Sequence, residues 1–210
     1  MSAEKRPIGV LMVDVDGVLV HGRPVDGRPV FSELKADLGL SSERLRAEFF
    51  NRYWEPIVTG REPMLPRLAS VLAEIAPQIS AKQLVDYWMR NDSRVLPEDL
   101  AALDEARAAG LRVYLATNQE HVRAAYLMVE MGLANHVDGI AYSAALGVRK
   151  PDADFYRLAA EQAGAAPEEI GFVDDVADNV AAARRAGWRA VQFTGAETLR
   201  EVIAGLMEGA

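Results

Sequence analysis

IGVLMVDVDG, residues 8–17, is the most informative segment of this chain for its fold. Its first part, 8–13, is a continuous apolar run rich in β-branched side chains, which predicts a strand buried on both faces, as in a parallel sheet. Two acidic residues, Asp14 and Asp16, and a glycine follow at once. The run is too short to cross a membrane, and no small-residue cleavage site follows it. We therefore expect a core strand, with no membrane partner and no signal peptide.

Four more short apolar segments predict further strands, at 112–116, 139–142, 171–173 and 190–193. Helical patterns accompany them at 97–109, 120–131, 151–163, 178–186 and 196–207, and the first four of these each end at a glycine, a common stop signal. Regular alternation of strand and helix predicts an α/β fold, a Rossmann-like three-layer core around a central parallel sheet. Right-handed crossovers place helices on both faces of that sheet.

Residues 21–96 break this alternation, because no buried strand is evident among them. Helical patterns at 42–53, 66–75 and 81–90 predict instead a small α-helical cap inserted after the first strand. The predicted division is a core of residues 1–20 and 97–210 and a cap of residues 21–96.

Two linkers are expected to join the cap to the core, the Gly- and Pro-rich stretch 21–29 and a second one near 92–97.

The aromatic residues Tyr53, Trp54, Tyr87 and Trp88 are expected to pack in the cap's own interior. The alternative is that one of Tyr53, Trp54 or Arg61 contacts a bound ligand.

The charge balance limits the partners of the chain. It has 31 acidic and 23 basic residues among 210, and this net charge of −8 disfavours nucleic acid, which needs a basic surface. A small phosphorylated ligand is still compatible, since one metal ion and one lysine can set the local field. The lack of cysteine excludes disulfides and thiol catalysis and fits a reducing cytoplasm, where we expect a monomer or a homodimer.

Several polar residues follow the predicted strands or lie in the loops beyond them. Ligands of open parallel sheets bind beyond the carboxyl ends of the strands, so these side chains are expected to meet at one edge of the sheet. The candidate site residues are Asp14, Asp16, Thr117, Asn118, Lys150, Asp174 and Asp175. Asn179 is either a further hydrogen-bond partner of the acidic cluster or an ordinary first-turn helix residue.

Four segments that contain these residues resemble the motifs of the haloacid dehalogenase-like hydrolase superfamily. They are DVDGVLV (14–20), YLATNQ (114–119), RKPDADFY (149–156) and FVDDVADN (172–179), and they match in order, spacing and residue chemistry. The resemblance covers the core, residues 8–20 and roughly 97–205. The predicted helical insert after the first motif is similar to the helical (C1-type) cap of that family.

The resemblance implies phosphoryl transfer with Asp14 as the nucleophile, which would attack phosphorus and become an aspartyl phosphate. Asp16 lies two residues on, so in an extended segment it points to the same side and would act as general acid and then as general base. Thr117 and the backbone amide of Asn118 are expected to hold phosphoryl oxygens. Lys150 is expected to neutralise the transferring group and to pair with Asp14.

Clustered carboxylates repel one another and need a cation, which predicts Mg²⁺ as the cofactor. By resemblance its ligands are the Asp14 carboxylate, the Asp16 backbone carbonyl and the Asp175 carboxylate. Asp174 is either a further ligand through water or a carboxylate that stands behind the ligands.

The predicted function is Mg²⁺-dependent hydrolysis of the phosphate monoester of a small metabolite. A phosphomutase would use the same residues and would need cap residues such as Arg23, Arg28 or Arg61 to grip a bisphosphate. A 2-haloacid dehalogenase is disfavoured by Asp16, because halide leaves without a proton and such members replace this aspartate. A non-catalytic binding protein on the same fold is the remaining alternative.

Overall fold

A five-stranded parallel sheet forms the centre of the computed structural model, which describes residues 7–208. The strand order is β3-β2-β1-β4-β5. The strands are β1 (Val10–Val13), β2 (Arg112–Thr117), β3 (Gly139–Tyr142), β4 (Ile170–Asp174) and β5 (Arg189–Gln192). All five predicted strands form, and the α/β fold class is confirmed.

Helices surround the sheet and build the insert between β1 and β2. They are α1 (Leu34–Leu38), α2 (Ser42–Leu45), α3 (Asn51–Val58), α4 (Met64–Ile75), α5 (Ala81–Asn91), α6 (Pro97–Ala108), α7 (His121–Met128), α8 (Ser143–Leu146), α9 (Ala153–Ala163), α10 (Ala177–Arg185) and α11 (Leu199–Glu208). Within residues 7–208 no helix combines the length and the apolar character that a membrane span needs.

Alternate residues of β1 pack on opposite faces of the sheet, as the period of a strand requires. Leu11 and Val13 belong to the hydrophobic cluster under α6 and α11, whereas Val10 and Met12 belong to the cluster under α9 and α10. All four side chains are fully buried. The continuous apolar run therefore reflects a strand covered by helices on both sides.

The segment of residues 21–96, which we call the cap, has a hydrophobic cluster of its own that includes Leu45, Phe49, Leu72 and Leu84. Its longest helix runs from α2 through a π-helical turn, Arg46–Phe50, into α3. The sequence predicts a helix at this place but not the π-turn. The five-residue helix α1 is also missed, because it is too short to show a helical period.

The two linkers of the cap lie side by side. Val20 and Val95 form an antiparallel bridge, the amide of His21 donates to the carbonyl oxygen of Arg94 (2.8 Å), and the amide of Arg94 donates to that of Gly22 (3.1 Å). The chain thus enters and leaves the cap through one hydrogen-bonded pair of segments.

The cap meets the core again at the far end of α3. The hydroxyl of Ser143 donates to the carbonyl oxygen of Val58 (2.6 Å), and Arg149 pairs with Glu55 (2.7 Å). Gly60 follows at a point where the backbone lies directly against α8.

We predict that Gly60→Ala destabilises the protein by at least about 1 kcal/mol more than Gly147→Ala does. Both glycines have a positive φ, 71° and 76°, so the two substitutions share a backbone cost of about 1–2 kcal/mol. A Cβ at Gly147 would meet nothing within 4 Å, whereas a Cβ at Gly60 would stand 2.2 Å from the carbonyl oxygen of Ala144. Urea unfolding of both variants measures the difference. Equal losses in the free energy of unfolding would mean that the close approach of Gly60 to α8 does not limit the side chain at this position.

Candidate active site

The ends of three neighbouring strands bring the predicted residues together. Asp14 follows β1, Thr117 ends β2 and Asp174 ends β4, all at the carboxyl edge of the sheet. Strands β2 and β3 lie on one side of β1, and β4 and β5 lie on the other, so the topological switch point is between β1 and β4. Open α/β sheets form a crevice for ligands at such a point. Lys150 reaches this edge from the loop that leads from α8 to α9.

The ammonium group of Lys150 lies between two carboxylates. Its Nζ is 2.9 Å from Asp14 Oδ1 and 2.6 Å from Asp174 Oδ2, and it donates to the carbonyl oxygen of Ala116 at 2.8 Å. The Lys150 side chain is 1% exposed. The predicted pairing of Lys150 with Asp14 is therefore present in the structure.

Burial and these neighbours change the acidity of both partners. Burial raises the pKa of Asp14 to about 7, Lys150 opposes the shift, and the charges of Asp174 and Asp16 add to it. Burial alone would lower the pKa of Lys150, but Asp14 and Asp174 outweigh it and hold that pKa above its usual value. The lysine thus stays charged and favours the ionised form of the carboxylate beside it.

The carboxylate of Asp174 is fully buried and is held from several sides. Besides Lys150, it accepts hydrogen bonds from the amide of Val176 (2.8 Å) and from the side chain of Asn179 (3.0 and 3.1 Å). Asn179 is therefore a hydrogen-bond partner of the acidic cluster, which is the first of the two alternatives for this residue. These contacts fix the Asp174 carboxylate against Lys150.

Asp175 lies directly against Gly17, which explains the glycine at that position. The φ of Gly17 is +83°, and a Cβ there would stand 2.4 Å from Asp175 Oδ2. The glycine therefore leaves space for a carboxylate of the site in addition to allowing the turn. Burial and the charge of Asp174 raise the pKa of Asp175.

A group of three carboxylates could hold a metal ion. Ligand oxygens of Asp14, Asp174 and Asp175 all lie within 4.8 Å of one another. Hard divalent cations such as Mg²⁺ prefer such oxygen donors, so the residues present fit the predicted cofactor.

Asp16 faces the cleft with its side chain 56% exposed, and residues of the core and of a linker surround its carboxylate. Gln119 Nε2 donates to Asp16 Oδ2 at 2.6 Å, and Arg123 Nη2 is 4.0 Å from Asp16 Oδ1. Arg123 also lies 3.2 Å from the carboxylate of Asp92 in the second linker. The pKa of Asp16 is raised by desolvation in the cleft and by Asp92, against the opposing effect of Arg123 and Gln119.

Sequence reasoning missed Gln119 and Arg123. Gln119 ends the segment YLATNQ, so its position beside Thr117 and Asn118 was a usable signal. Arg123 gave none, because arginine on a helix is usually solvent-exposed, whereas this side chain is 1% exposed.

Thr117 and Asn118 both lie at the site. Thr117 is buried, with its Oγ1 3.5 Å from Gln119 Nε2. Asn118 Oδ1 accepts from the amide of Lys150 (2.8 Å), and its Nδ2 donates to the carbonyl oxygen of the same residue (3.0 Å). The helix that follows, α7, is capped by Glu120, whose side chain accepts from the amides of its first turn.

A cleft of about 510 Å³ opens beside Asp16 between the core and the cap. Trp54 and Trp88 pack against the hydrophobic cluster of the cap, as expected, and they also line this cleft. Tyr87 is buried in that cluster as expected, and Tyr53 does not line this cleft.

We predict that Lys150→Met lowers the free energy of unfolding by about 3–5 kcal/mol, because it leaves two buried carboxylates without a cation. Lys82→Met is the matched control. It removes an ion pair with the same 2.6 Å distance to Asp86, but there the two side chains are 82% and 42% exposed, so the loss should stay below about 1 kcal/mol. Urea unfolding in EDTA measures both variants. Similar losses would mean that the buried ammonium stabilises no more than a surface pair.

Comparisons with known proteins identify the family of this chain. The family model of the haloacid dehalogenase-like hydrolases matches residues 8–187. A phosphatase of Mycobacterium tuberculosis is 38% identical over 87% of this chain and 86% of its own length. A phosphoserine phosphatase of Thermus thermophilus is also 38% identical, but over only 53% of this chain and 46% of that protein.

A solved structure gives the same fold. An enzyme of the haloacid dehalogenase family from Bacteroides thetaiotaomicron superposes with a TM-score of 0.78 at 18% identity, over 94% of this chain and 99% of that one. This likeness concerns the fold alone. The family match, which spans most of the chain, decides the assignment: the protein belongs to the haloacid dehalogenase-like hydrolases.

Proposed function

We propose that this hydrolase is a Mg²⁺-dependent phosphatase that acts on the phosphate monoester of a small metabolite through an aspartyl phosphate on Asp14. The observation that carries the proposal is the pairing of the Asp14 carboxylate with the buried ammonium of Lys150, next to an acid, Asp16, that faces an open cleft. Family membership and a phosphatase relative aligned along most of the chain support it.

The first half of the reaction transfers the phosphoryl group to the protein. An oxygen of Asp14 attacks phosphorus while Thr117 and the backbone amide of Asn118 hold the phosphoryl oxygens. The bond from phosphorus to the ester oxygen breaks, and Asp16 gives its proton to that oxygen, so the product leaves as a neutral alcohol. Lys150 lies close enough to Asp14 to offset the charge that the reaction brings into the site.

The second half of the reaction regenerates the free carboxylate of Asp14. Asp16, now ionised, removes a proton from a water molecule, which attacks phosphorus and releases phosphate from Asp14. The pKa of Asp16 is raised, which is the direction that suits a residue that must carry a proton before the first step.

The metal would be held by Asp14 and Asp175, with the Asp16 backbone carbonyl as a third donor by family resemblance and Asp174 behind them. When bound, Mg²⁺ supplies positive charge to a site where three carboxylates meet a phosphate dianion.

Asp16 also bears on the alternatives. A departing halide needs no proton, so a dehalogenase has no use for an acid that Gln119 and Arg123 keep beside the cleft. A phosphomutase would need cations in the cap to grip a bisphosphate, and the three arginines considered for that role each lie near an acidic residue: Arg23 and Arg28 near Glu33, and Arg61 near Glu55.

We predict that the protein releases phosphate from small phosphate esters with magnesium, and that EDTA or Asp14→Asn abolishes this release, because the amide is not a nucleophile. Asp178→Asn is the control. It removes an exposed acidic residue in the first turn of α10 that has no proposed role, and it should keep the parent activity. Activity that survives in Asp14→Asn would refute the assignment of the nucleophile.

We predict that the loss caused by Asp16→Asn depends on the leaving group. An alkyl phosphate needs a proton on its leaving oxygen, so the first step should slow by about 10²–10⁴-fold. The phenolate of p-nitrophenyl phosphate leaves without protonation, so the first step should slow much less with this ester. The burst of p-nitrophenolate measures the rate of that step. Rapid-mixing measurements on both esters give the comparison, and equal losses would contradict the role of Asp16 as the acid.

A further inference from the structure

The leaving group of the substrate must lie beside Asp16, which protonates its oxygen in the proposed reaction. The cleft of about 510 Å³ begins there, since Asp16 lines it together with Asn118 and Gln119. Its volume is within the range of cavities that hold drug-sized ligands. The composition of its walls therefore indicates which alcohol the site accepts.

Four aromatic side chains of the cap form a continuous wall of this cleft: Phe31, Phe50, Trp54 and Trp88. The ring centroids of Phe50 lie 5.1 Å from Trp54, 5.6 Å from Trp88 and 6.0 Å from Phe31, so the rings support one another. Each ring is only partly buried. By contrast, the neighbouring Phe49 is 1% exposed inside the cap.

The π-turn of the cap helix lies at this wall. Arg46 and Phe50, its first and last residues, both line the cleft. Such turns are rare and occur frequently at functional sites, where an extra residue in the turn redirects side chains. Here the turn leaves the ring of Phe50 at the cleft, next to the buried ring of Phe49.

The charges around the cleft disfavour an anionic leaving group. Among the lining residues, Asp16 and Asp92 are acidic and Arg46 is basic. Arg46 is exposed, so its charge is already hydrated and would attract a carboxylate only weakly. Asp92 pairs with Arg123, which is therefore not available to a ligand.

We infer that the substrate is the phosphate monoester of an uncharged, largely apolar alcohol, whose carbon skeleton packs against Phe31, Phe50, Trp54 and Trp88. The inference rests on the proposed phosphatase function and adds the class of the leaving group. Burial of apolar surface against the rings supplies the binding, and the proton of Asp16 goes to the alcohol oxygen as its bond to phosphorus breaks.

Three esters test this selectivity: 2-phenylethyl phosphate, phosphoglycolate as a charged competitor, and methyl phosphate, which is too small to reach the aromatic wall. The parent enzyme should show a kcat/KM for 2-phenylethyl phosphate at least about tenfold above that for phosphoglycolate. A preference for phosphoglycolate would overturn the inference while leaving the phosphatase proposal intact.

Trp54→Ala tests the wall itself. It should lower kcat/KM for 2-phenylethyl phosphate by about 10- to 100-fold and change that for methyl phosphate by less than about threefold. Tyr53→Ala is the matched control, because Tyr53 lies on the same helix but outside the cleft. Its ring centroid is 4.5 Å from Cζ of Arg67. This variant should keep the parent ratio between the two esters. An equal loss on both esters in Trp54→Ala would contradict the inference.

A binding measurement separates this inference from the phosphatase proposal. Titration with the product alcohol, 2-phenylethanol, should change the tryptophan fluorescence saturably in the parent and to a lesser extent in Trp54→Phe. Trp188 is buried in the core and gives a constant background. If no ester is hydrolysed but the alcohol binds, the phosphatase proposal fails alone; if the alcohol leaves the fluorescence unchanged, the apolar site is refuted.

Discussion

The ion pairs of Lys150 with Asp14 and Asp174 are the interaction on which the site depends. Neighbouring parallel strands bring the two carboxylates side by side in a buried place, where without a cation they would take up protons or separate. The ammonium arrives from a loop beyond β3 and also donates to the carbonyl oxygen of Ala116 in β2. It therefore joins the ends of adjacent strands across the edge of the sheet, while Asn118 fixes its backbone.

Much of the core could be predicted because its signals are local. The apolar run before Asp14 marks a strand covered on both faces, and polar residues that follow such strands must share one edge of the sheet. This reasoning places Asp14, Lys150 and Asp174 together, as the structure has them. It cannot find Arg123, since a buried guanidinium that is held by Asp92 leaves no mark on an apolar pattern.

The cap was less predictable for a different physical reason. Its helices follow from apolar periodicity, but that periodicity does not say whether a partly apolar face covers a closed interior or an open cleft. The π-turn makes this harder, because its wider turn shifts the faces of the residues that follow it relative to a regular helix. Trp54 and Trp88 accordingly line the cleft, whereas Tyr87 lies inside the cap.

The paired linkers have a mechanical consequence. The bridge of Val20 with Val95 couples the two linkers, so a movement of the cap would have to carry both of them together. The same loop carries Asp16, the proposed acid: the amide of Gly17 donates to the carbonyl oxygen of Val20, and Asp16 forms a bridge with Val20. In the proposed reaction, tilting the cap would move the proton donor, so a molecule that keeps the cap open would be rejected through a misplaced proton as well as through a poor fit.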